Sequence, residues 1–269
     1  MCSSDLPRLR RSDCSGPGIT RRGAEKFDEM TRFAKALPRL REQVEADLAA
    51  TRSLSRPRVL ACAVRLLDRG FFRIGTEEYT DSFGLATMRK EHVTITGGQM
   101  VFDYPAKSGK RRVQAVVDPL AIEIVCTLKR RRGGGEELLA YQVSRRWHDV
   151  RSDDINAYLK DATGADCSAK DFRTWSATVL AALALAVSGP AHGTTTSRKR
   201  AITRAIKETA HYLGNTPAVC RASYIDPRIF DAYRGGMVID QRLLFDVGDM
   251  ATQHPQIERA VLDLLAAED

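Results

Sequence analysis

The spacing of apolar residues constrains the fold of this chain more than any other feature. From Ala24 onward, apolar residues recur every three or four positions, which is typical of helices that bury one face. Pro38 divides this stretch into two predicted helices, and a third is expected from Pro57 to Gly70. Further helices are predicted at residues 153–164, 168–188, 198–213, 217–224 and 255–268.

Strand spacing is confined to one block, between residues 84 and 118. Four segments there alternate or cluster β-forming residues, and the glycine-containing pairs Gly97–Gly98 and Ser108–Gly109 separate them as turns. After Asp118 the chain is expected to return to helices and to remain helical. The sequence therefore predicts a mainly α (α+β) fold with one small antiparallel sheet inserted early. Its predicted strands are Gly84–Met88, His92–Thr96, Met100–Tyr104 and Arg112–Val117.

Composition excludes some classes of protein and weakly favours others. A length of 269 residues corresponds to about two average domains or one large domain. Such a chain can bury a core without disulfides or a structural metal. Lys and Arg number 42 against 34 Asp and Glu, and the net charge of +8 weakly favours polyanionic partners. The longest apolar run, Ala177–Val187, is too short to cross a bilayer, so we expect a buried helix and no membrane association.

The sequence carries no signal for secretion and no motif for a metal or nucleotide cofactor. The first residues contain no apolar segment of a secretory signal, and the six cysteines are at least twelve residues apart. Scattered cysteines without a CxxC pair are typical of free thiols in a reducing cytosol, so a cytoplasmic protein is expected. The histidines lack HxxxH and HExxH spacing, and no GxxxxGKS/T or GxGxxG loop follows a strand. We therefore expect no metal and no other cofactor.

Four short stretches contain candidate functional residues. Arg73 lies among apolar neighbours just beyond a helix, and Lys107 lies at the tip of a predicted hairpin. Arg173 is at the start of a very apolar helix, where a positive charge opposes the helix dipole. Asn215 precedes Thr-Pro, a good helix start, and the short helix that follows ends at Tyr224. Taken singly, each of these residues is compatible with a solvated or core structural role.

Taken in order, these features resemble the catalytic domain of type IB DNA topoisomerases, in their bacterial and poxvirus-like branch. The resemblance rests on the Arg, the hairpin Lys, the motifs KDFRTW and GNTP, and a Tyr nine residues after the Asn. It extends over roughly residues 25–269 and includes FFRIG, GLATMRKEHV and SYIDP. It implies a helical DNA breaking-rejoining domain, similar to tyrosine recombinases. It also implies a monomer that acts on double-stranded DNA without a cofactor. The location that it implies is the bacterial cytoplasm, in association with the nucleoid.

The resemblance also implies roles for individual residues. Tyr224 becomes the nucleophile, which forms a 3′-phosphotyrosyl intermediate. Lys107 becomes the general acid that protonates the leaving 5′ oxygen. The residues expected to bind the non-bridging phosphate oxygens are Arg73, Arg173 and Asn215. Further contacts to DNA are expected from Tyr79 and Lys110.

The beginning of the chain departs from this family pattern. Residues 17–22 resemble the start of the β-rich N-terminal domain of bacterial relatives, and Ala24–Phe27 resembles the start of the catalytic domain. We therefore expect residues 1–24 to be a disordered vestige, with the β-rich domain missing and residues 25–269 forming the catalytic domain. Because each lost phosphate contact lowers the salt slope of binding, weak and distributive relaxation is expected.

Two other functions remain open on the sequence alone. A tyrosine recombinase or integrase shares the fold and the Arg–Lys–Arg–Tyr chemistry, although such proteins usually have a histidine where Lys170 stands. A non-catalytic DNA-binding fragment would keep the fold without useful activity. The presence of all five catalytic residue types favours an enzyme over such a fragment.

Overall fold

Helices make up most of the structure, a computed structural model that describes residues 21–76, 78, 81–189, 194–244 and 255–267. Within these ranges the chain forms nine α-helices and two small antiparallel sheets, so the predicted mainly α fold is confirmed. None of the described helices is long and apolar enough to span a membrane. The helices are α1 (Arg21–Ala49), α2 (Arg56–Gly70), α3 (Pro119–Arg130), α4 (Ser152–Thr163), α5 (Ala169–Val187), α6 (Thr195–Leu213), α7 (Pro217–Ser223), α8 (Arg228–Arg234) and α9 (Pro255–Ala266). The strands are β1 (Val93–Thr96), β2 (Gln99–Ala106), β3 (Lys110–Val116), β4 (Ala140–Val143) and β5 (Arg146–Asp149).

The helices predicted beyond residue 150 are confirmed as α4 to α7 and α9, with ends that differ by at most three residues. Their apolar periodicity is a local property of the sequence, which explains the agreement. Residues 1–20 lie outside the described residues. The interpretation of residues 1–24 as a vestige therefore stays a prediction.

Helix α5 is apolar on nearly every face and lies at the centre of the core. Fourteen of its residues are buried, and it contacts α1, α2, α4, α6, α8 and α9. A helix that is hydrophobic all round is stable only in such an interior position. The helix follows Ser168, whose backbone N–H donates to Oδ2 of Asp171 at 2.8 Å in a capping box. Arg173 lies near the N-terminus of α5. Because α5 is central, the side chain of Arg173 is inside the protein.

The prediction that Pro38 separates two helices was wrong, because α1 continues through this residue. Proline inside a helix removes one backbone hydrogen bond and costs about 3 kcal/mol. The apolar stripe keeps its phase across Pro38, and its members are buried on both sides. Since burying one such side chain contributes about 1.5–3 kcal/mol, the two halves together offset the cost. The buried stripe consists of Phe27, Met30, Phe33, Ala34, Leu37, Leu40, Val44 and Leu48.

Three of the four predicted strands are confirmed as the sheet β1-β2-β3, in which both neighbouring pairs are antiparallel. Residues Lys107–Gly109 form a 3-10 turn that joins β2 to β3, so the predicted lysine-bearing hairpin tip is also confirmed. Buried residues alternate along β2, which shows that one face of this hairpin packs on the core.

The fourth predicted strand, Gly84–Met88, is wrong, because this segment forms a turn. Gly84 lies so close to Gly75 that a Cβ atom on Gly84 would be 2.3 Å from the Gly75 nitrogen. This approach lets the Leu85 N–H donate to the Arg73 carbonyl at 2.8 Å. The segment therefore fixes the backbone of Arg73 without pairing as a strand.

Sequence patterns also failed to predict the hairpin β4–β5 and helix α8. The two strands of the hairpin have four residues each, and the residues between them, Ser144 and Arg145, have φ values of 48° and 66°. Tight hairpin turns with two positive φ values usually contain Asn-Gly or Asp-Gly. The Ser144–Arg145 turn contains neither signal, which is why the hairpin was not predicted. The expectation that the chain stays helical after Asp118 was wrong, because this hairpin lies between α3 and α4.

An ion-pair network ties helix α9 to the core. Arg41 on α1 pairs with Asp68 on α2, with Nε 2.9 Å from Oδ2, and with Glu258 on α9, with Nη1 2.6 Å from Oε2. Trp175 on α5 donates from Nε1 to Oε1 of Glu258 at 3.1 Å. Three helices, α1, α5 and α9, therefore meet at the largely buried Glu258 carboxylate, and Arg41 extends the network to α2.

We expect Glu258→Gln to lower the free energy of unfolding by about 2 kcal/mol. Breaking a buried ion pair costs about 3–5 kcal/mol, and the loss is smaller here because Arg41 keeps Asp68. Urea unfolding of the whole chain measures this difference. Arg259→Gln on the same helix removes an exposed pair with Asp263, worth about 0.5 kcal/mol, and is the matched control. Equal midpoints for the two variants would contradict the prediction.

Candidate active site

Arg173 is the most buried of the predicted site residues, with 3% of its surface exposed. Its guanidinium donates to the carbonyl of Phe71 and, at 2.9 Å, to the carbonyl of Leu213. The Cζ atom lies 5.3 Å from the centroid of the Tyr224 ring, so the guanidinium contacts the tyrosine through a cation–π interaction. Burial, with the charge of Arg73 acting in the same direction, lowers the pKa of Arg173 to about 10. This arginine therefore remains a cation at neutral pH.

Arg73 and Asn215 are joined by a hydrogen bond in which Nη2 of the arginine donates to Oδ1 of the amide at 2.5 Å. Since a guanidinium can only donate, this contact determines the orientation of the amide. The Asn215 Nδ2 is buried and has no hydrogen-bond partner among the described residues. Such a donor costs about 1–3 kcal/mol when it stays unsatisfied. A ligand that accepts a hydrogen bond here would recover that energy.

Lys107 and Lys110 both lie at the tip of the β2–β3 hairpin and are exposed. They line the same cleft, of about 590 Å³, as Arg73, Arg173 and Asn215. Neither lysine forms an ion pair with a carboxylate in the part of the chain that the structure describes. Tyr79, the other predicted DNA contact, lies outside the described residues.

Tyr224 directly follows helix α7, whose start is formed as the sequence predicted. Thr216 is the N-cap and accepts from the Val219 N–H at 3.3 Å, and Pro217 is the first helical residue. The hydroxyl of Thr178, on α5, lies 3.4 Å from the Tyr224 carbonyl. The tyrosine is therefore held between α7 and the helix that carries Arg173.

Arg112 also lines the cleft, although the sequence predicted it only as part of a strand. Its Nη2 donates to the carbonyl of Tyr212 at 2.6 Å, and its Nε donates to Oε1 of Gln114 at 2.6 Å. The remaining Gln114 nitrogen, Nε2, is buried without a partner among the described residues. The available signal was the alternation along β3, which puts both residues on the face of the buried Val116.

The cleft has an excess of positive charge. Five arginines line it, and three of them, Arg73, Arg112 and Arg173, pair with no carboxylate among the described residues. The other two are neutralised, because Arg69 pairs with Asp118 and Arg111 pairs with Asp103. Most other buried or half-buried arginines of that part do form such pairs, for example Arg41 and Arg65. Unpaired cations and orphaned N–H donors in one cleft are the arrangement expected for an anion-binding site.

The described residues contain no group of three or more His, Cys, Asp or Glu side chains that could hold a metal ion. The four cysteines among them are free thiols. The donors of the cleft are guanidinium, ammonium and amide groups, which match phosphate oxygens and not a cation.

Comparison with known proteins identifies the family. The model for the family described as eukaryotic DNA topoisomerase I, catalytic core, matches residues 18–234. The chain belongs to this DNA topoisomerase I family. The match extends through α1 to α8 and so includes each element that carries a residue of the cleft. The resemblance to type IB topoisomerases that the order of motifs predicted is confirmed at the level of the family.

One relative with a topoisomerase name illustrates the extent of the similarity. DNA topoisomerase 1B of Acanthamoeba polyphaga mimivirus is 27% identical over 221 residues, which cover 78% of this chain and 65% of the relative. The match therefore spans slightly less than two thirds of the length of that topoisomerase.

Proposed function

We propose that this chain breaks and reseals one strand of duplex DNA through Tyr224 and thereby relaxes supercoiled DNA. The observation that supports this proposal is the position of the Tyr224 ring, whose centroid lies 5.3 Å from the guanidinium carbon of Arg173. Arg173 itself lines a cleft that has unpaired cations and orphaned donors. A backbone phosphate is an anion that satisfies all of these groups at once. A tyrosine nucleophile beside it completes the requirements for transfer of the phosphoryl group.

Charge neutralisation is the first part of the proposed mechanism. An oxygen nucleophile is repelled by a phosphodiester anion unless cations bind the two non-bridging oxygens. Arg73 and Arg173 supply those cations, and the buried Nδ2 of Asn215 donates to the same oxygens. The contact between Arg173 and Tyr224 also stabilises negative charge that develops on the phenolic oxygen.

Bond exchange is the second part. The Tyr224 oxygen forms a bond to phosphorus while the bond between phosphorus and the 5′ oxygen breaks, and the phenolic proton passes to solvent. Lys107, at the exposed hairpin tip, donates a proton to the 5′ oxygen. The new phosphotyrosyl ester conserves the energy of the bond that was broken. Resealing by the reverse steps therefore requires no ATP, and the arginines supply the cationic stabilisation that a metal would otherwise provide.

A relaxation assay in EDTA without ATP tests the proposal. The chain is incubated with supercoiled plasmid that has no recombination site, and the products are separated with and without denaturation to trap a covalent adduct. Relaxed topoisomers and a protein attached to a 3′ end are expected. A requirement for a specific DNA site would favour a tyrosine recombinase. DNA binding without an adduct would favour a non-catalytic fragment.

We expect Asn215→Asp to slow cleavage of bound DNA by about 10²-fold, as loss of one preorganised donor does. The new carboxylate keeps the acceptor for Arg73 and presents a negative oxygen where the free Nδ2 donor was. Single-turnover cleavage at saturating protein measures the change.

The control for the added charge is Asn156→Asp on α4, which bonds to the start of α5. Its Oδ1 accepts from the Ala169 N–H at 3.1 Å, and this acceptor is kept in the variant. Equal cleavage rates for the two variants would show that the Asn215 amide does not contact the reacting phosphate.

A further inference from the structure

We propose that Arg112 is a positioning residue that docks the β2–β3 hairpin, and with it Lys107, on the C-terminal end of α6. The inference rests on the proposed function, because it assigns to Arg112 the placement of the general acid of that reaction. It concerns a residue that neither the motifs nor the family match singles out.

On the hairpin side, the guanidinium of Arg112 is held by Gln114 and lies beside Tyr104. Its Nε donates to Oε1 of Gln114, two residues along the same face of β3. Tyr104 lies directly opposite Arg112 in the register of β2 and β3. These contacts leave the side chain little rotational freedom, so its free end has a defined direction.

On the helix side, the same guanidinium reaches the end of α6. Its Nη2 donates to the Tyr212 carbonyl at 2.6 Å, one of the last helix carbonyls that have no partner within the helix. Gly214, with φ of +63°, lies against the side chain, and a Cβ atom there would be 2.2 Å from Nη1 of Arg112. A glycine at this position therefore permits both the left-handed helix cap and the close approach of the arginine.

Two arginines bind successive carbonyl groups at the end of α6. Arg112 donates to the Tyr212 carbonyl, and Arg173 donates to the Leu213 carbonyl. The residue that follows Gly214 is Asn215, whose amide accepts from Arg73. The turn that carries Asn215 is thus fixed from the hairpin, from α5 and from the loop after α2.

Arg112 is the link between the hairpin and this turn. Among the hydrogen bonds of the described residues, the bond from Arg112 to Tyr212 is the one that joins the β2–β3 hairpin to α6. Burial lowers the pKa of Arg112, and no described carboxylate offsets that cost. The partial negative charge at the C-terminus of α6 supplies the compensation. Without this link, the hairpin that carries Lys107 loses its hydrogen bond to the end of α6.

The neighbouring Arg111 provides a matched control. It lies on the opposite face of β3, is exposed, and pairs with Asp103 on β2. Removing Arg111 deletes the same charge from the same strand but leaves the hairpin docked on α6. A difference in cleavage rate between the two alanine variants therefore results from the loss of docking and not from the loss of one positive charge.

The test uses two DNA substrates with the whole chain. A cleavage site is first mapped with the unaltered protein, and duplexes with that site are made with a normal phosphodiester and with sulfur in place of the leaving 5′ oxygen. A thiol has a pKa of about 8.5 and leaves as a thiolate, so the sulfur substrate needs no general acid. Single-turnover cleavage is measured for Arg112→Ala, Arg111→Ala and Lys107→Ala at a temperature below the melting transition of each variant.

We expect Arg112→Ala to cleave the normal substrate about 10- to 100-fold more slowly than the unaltered protein, within the range of losing a general acid. On the sulfur substrate most of that defect disappears, as it does for Lys107→Ala, and Arg111→Ala stays near the unaltered rate on both. If Arg112→Ala does not fold, Arg112→Lys, which keeps the charge but cannot bond to Gln114 and Tyr212 with the same fixed geometry, gives the same pattern with a smaller defect.

Three outcomes overturn the inference. They are equal rates for Arg112→Ala and Arg111→Ala, an equal defect of the Arg112 variant on both substrates, and full activity of Arg112→Lys where the alanine variant does not fold. In each of these cases the unaltered protein still forms its adduct and the proposed function stands. Failure of the unaltered protein to form an adduct with either substrate would instead remove the proposed function.

Discussion

Tyr224→Phe is expected to form no covalent adduct with DNA and to leave supercoiled plasmid fully supercoiled. Phenylalanine keeps the ring whose centroid lies 5.3 Å from the Arg173 guanidinium and loses only the oxygen that we propose attacks phosphorus. Because the nucleophile itself is gone, the loss is complete and does not resemble the partial defect of a stabilising group.

The matched control is Tyr141→Phe, which makes the same change on β4, outside the cleft. It should relax plasmid and form adduct like the unaltered protein. Both variants should bind duplex DNA with the same affinity and the same salt dependence, since no phosphate contact changes. An adduct that persists in Tyr224→Phe, mapped by mass spectrometry to another residue, would refute the assignment of the nucleophile.

Local sequence patterns predicted much of the candidate site. Thr216 and Pro217 start α7 as expected because capping depends on adjacent residues. The conflict between Arg173 and the dipole of α5 marked that residue, and the structure explains the conflict through the distant carbonyl of Leu213, 40 residues away in the sequence. A charge that is unfavourable for local reasons is stabilised by a long-range contact.

The parts that sequence patterns missed depend on contacts between distant residues. Arg112 bonds to Tyr212, 100 residues away, and no local pattern encodes that pair. Gly84 was predicted in a strand, but its role is a close backbone contact with Gly75 that holds Arg73. Pro38 was predicted to end a helix, and burial of the stripe on both sides of it outweighs its local cost.

The second large effect is expected from Arg173→Lys, which keeps a positive charge and changes its shape. The planar guanidinium holds the Phe71 and Leu213 carbonyls beside Tyr224, and we propose that it also binds a phosphate oxygen. A single ammonium cannot make all of these contacts at once. We expect single-turnover cleavage to fall by about 10²- to 10³-fold. Arg259→Lys, an exposed change on α9, is the control and should leave the rate unchanged.

The pH dependence of Arg173→Lys gives a sharper result than its rate at one pH. Burial and the nearby charge of Arg73 lower the pKa of a cationic group at this site, and they lower the pKa of Arg173 to about 10. A lysine starts from a lower pKa, so the same surroundings bring its titration toward neutrality, and the cation is present only below that pKa. Cleavage by the variant should therefore rise as the pH is lowered toward neutrality, while the unaltered protein, still charged below a pH of about 9, shows no such rise. Parallel pH profiles for the two proteins would mean that the charge at residue 173 does not act on the reacting phosphate.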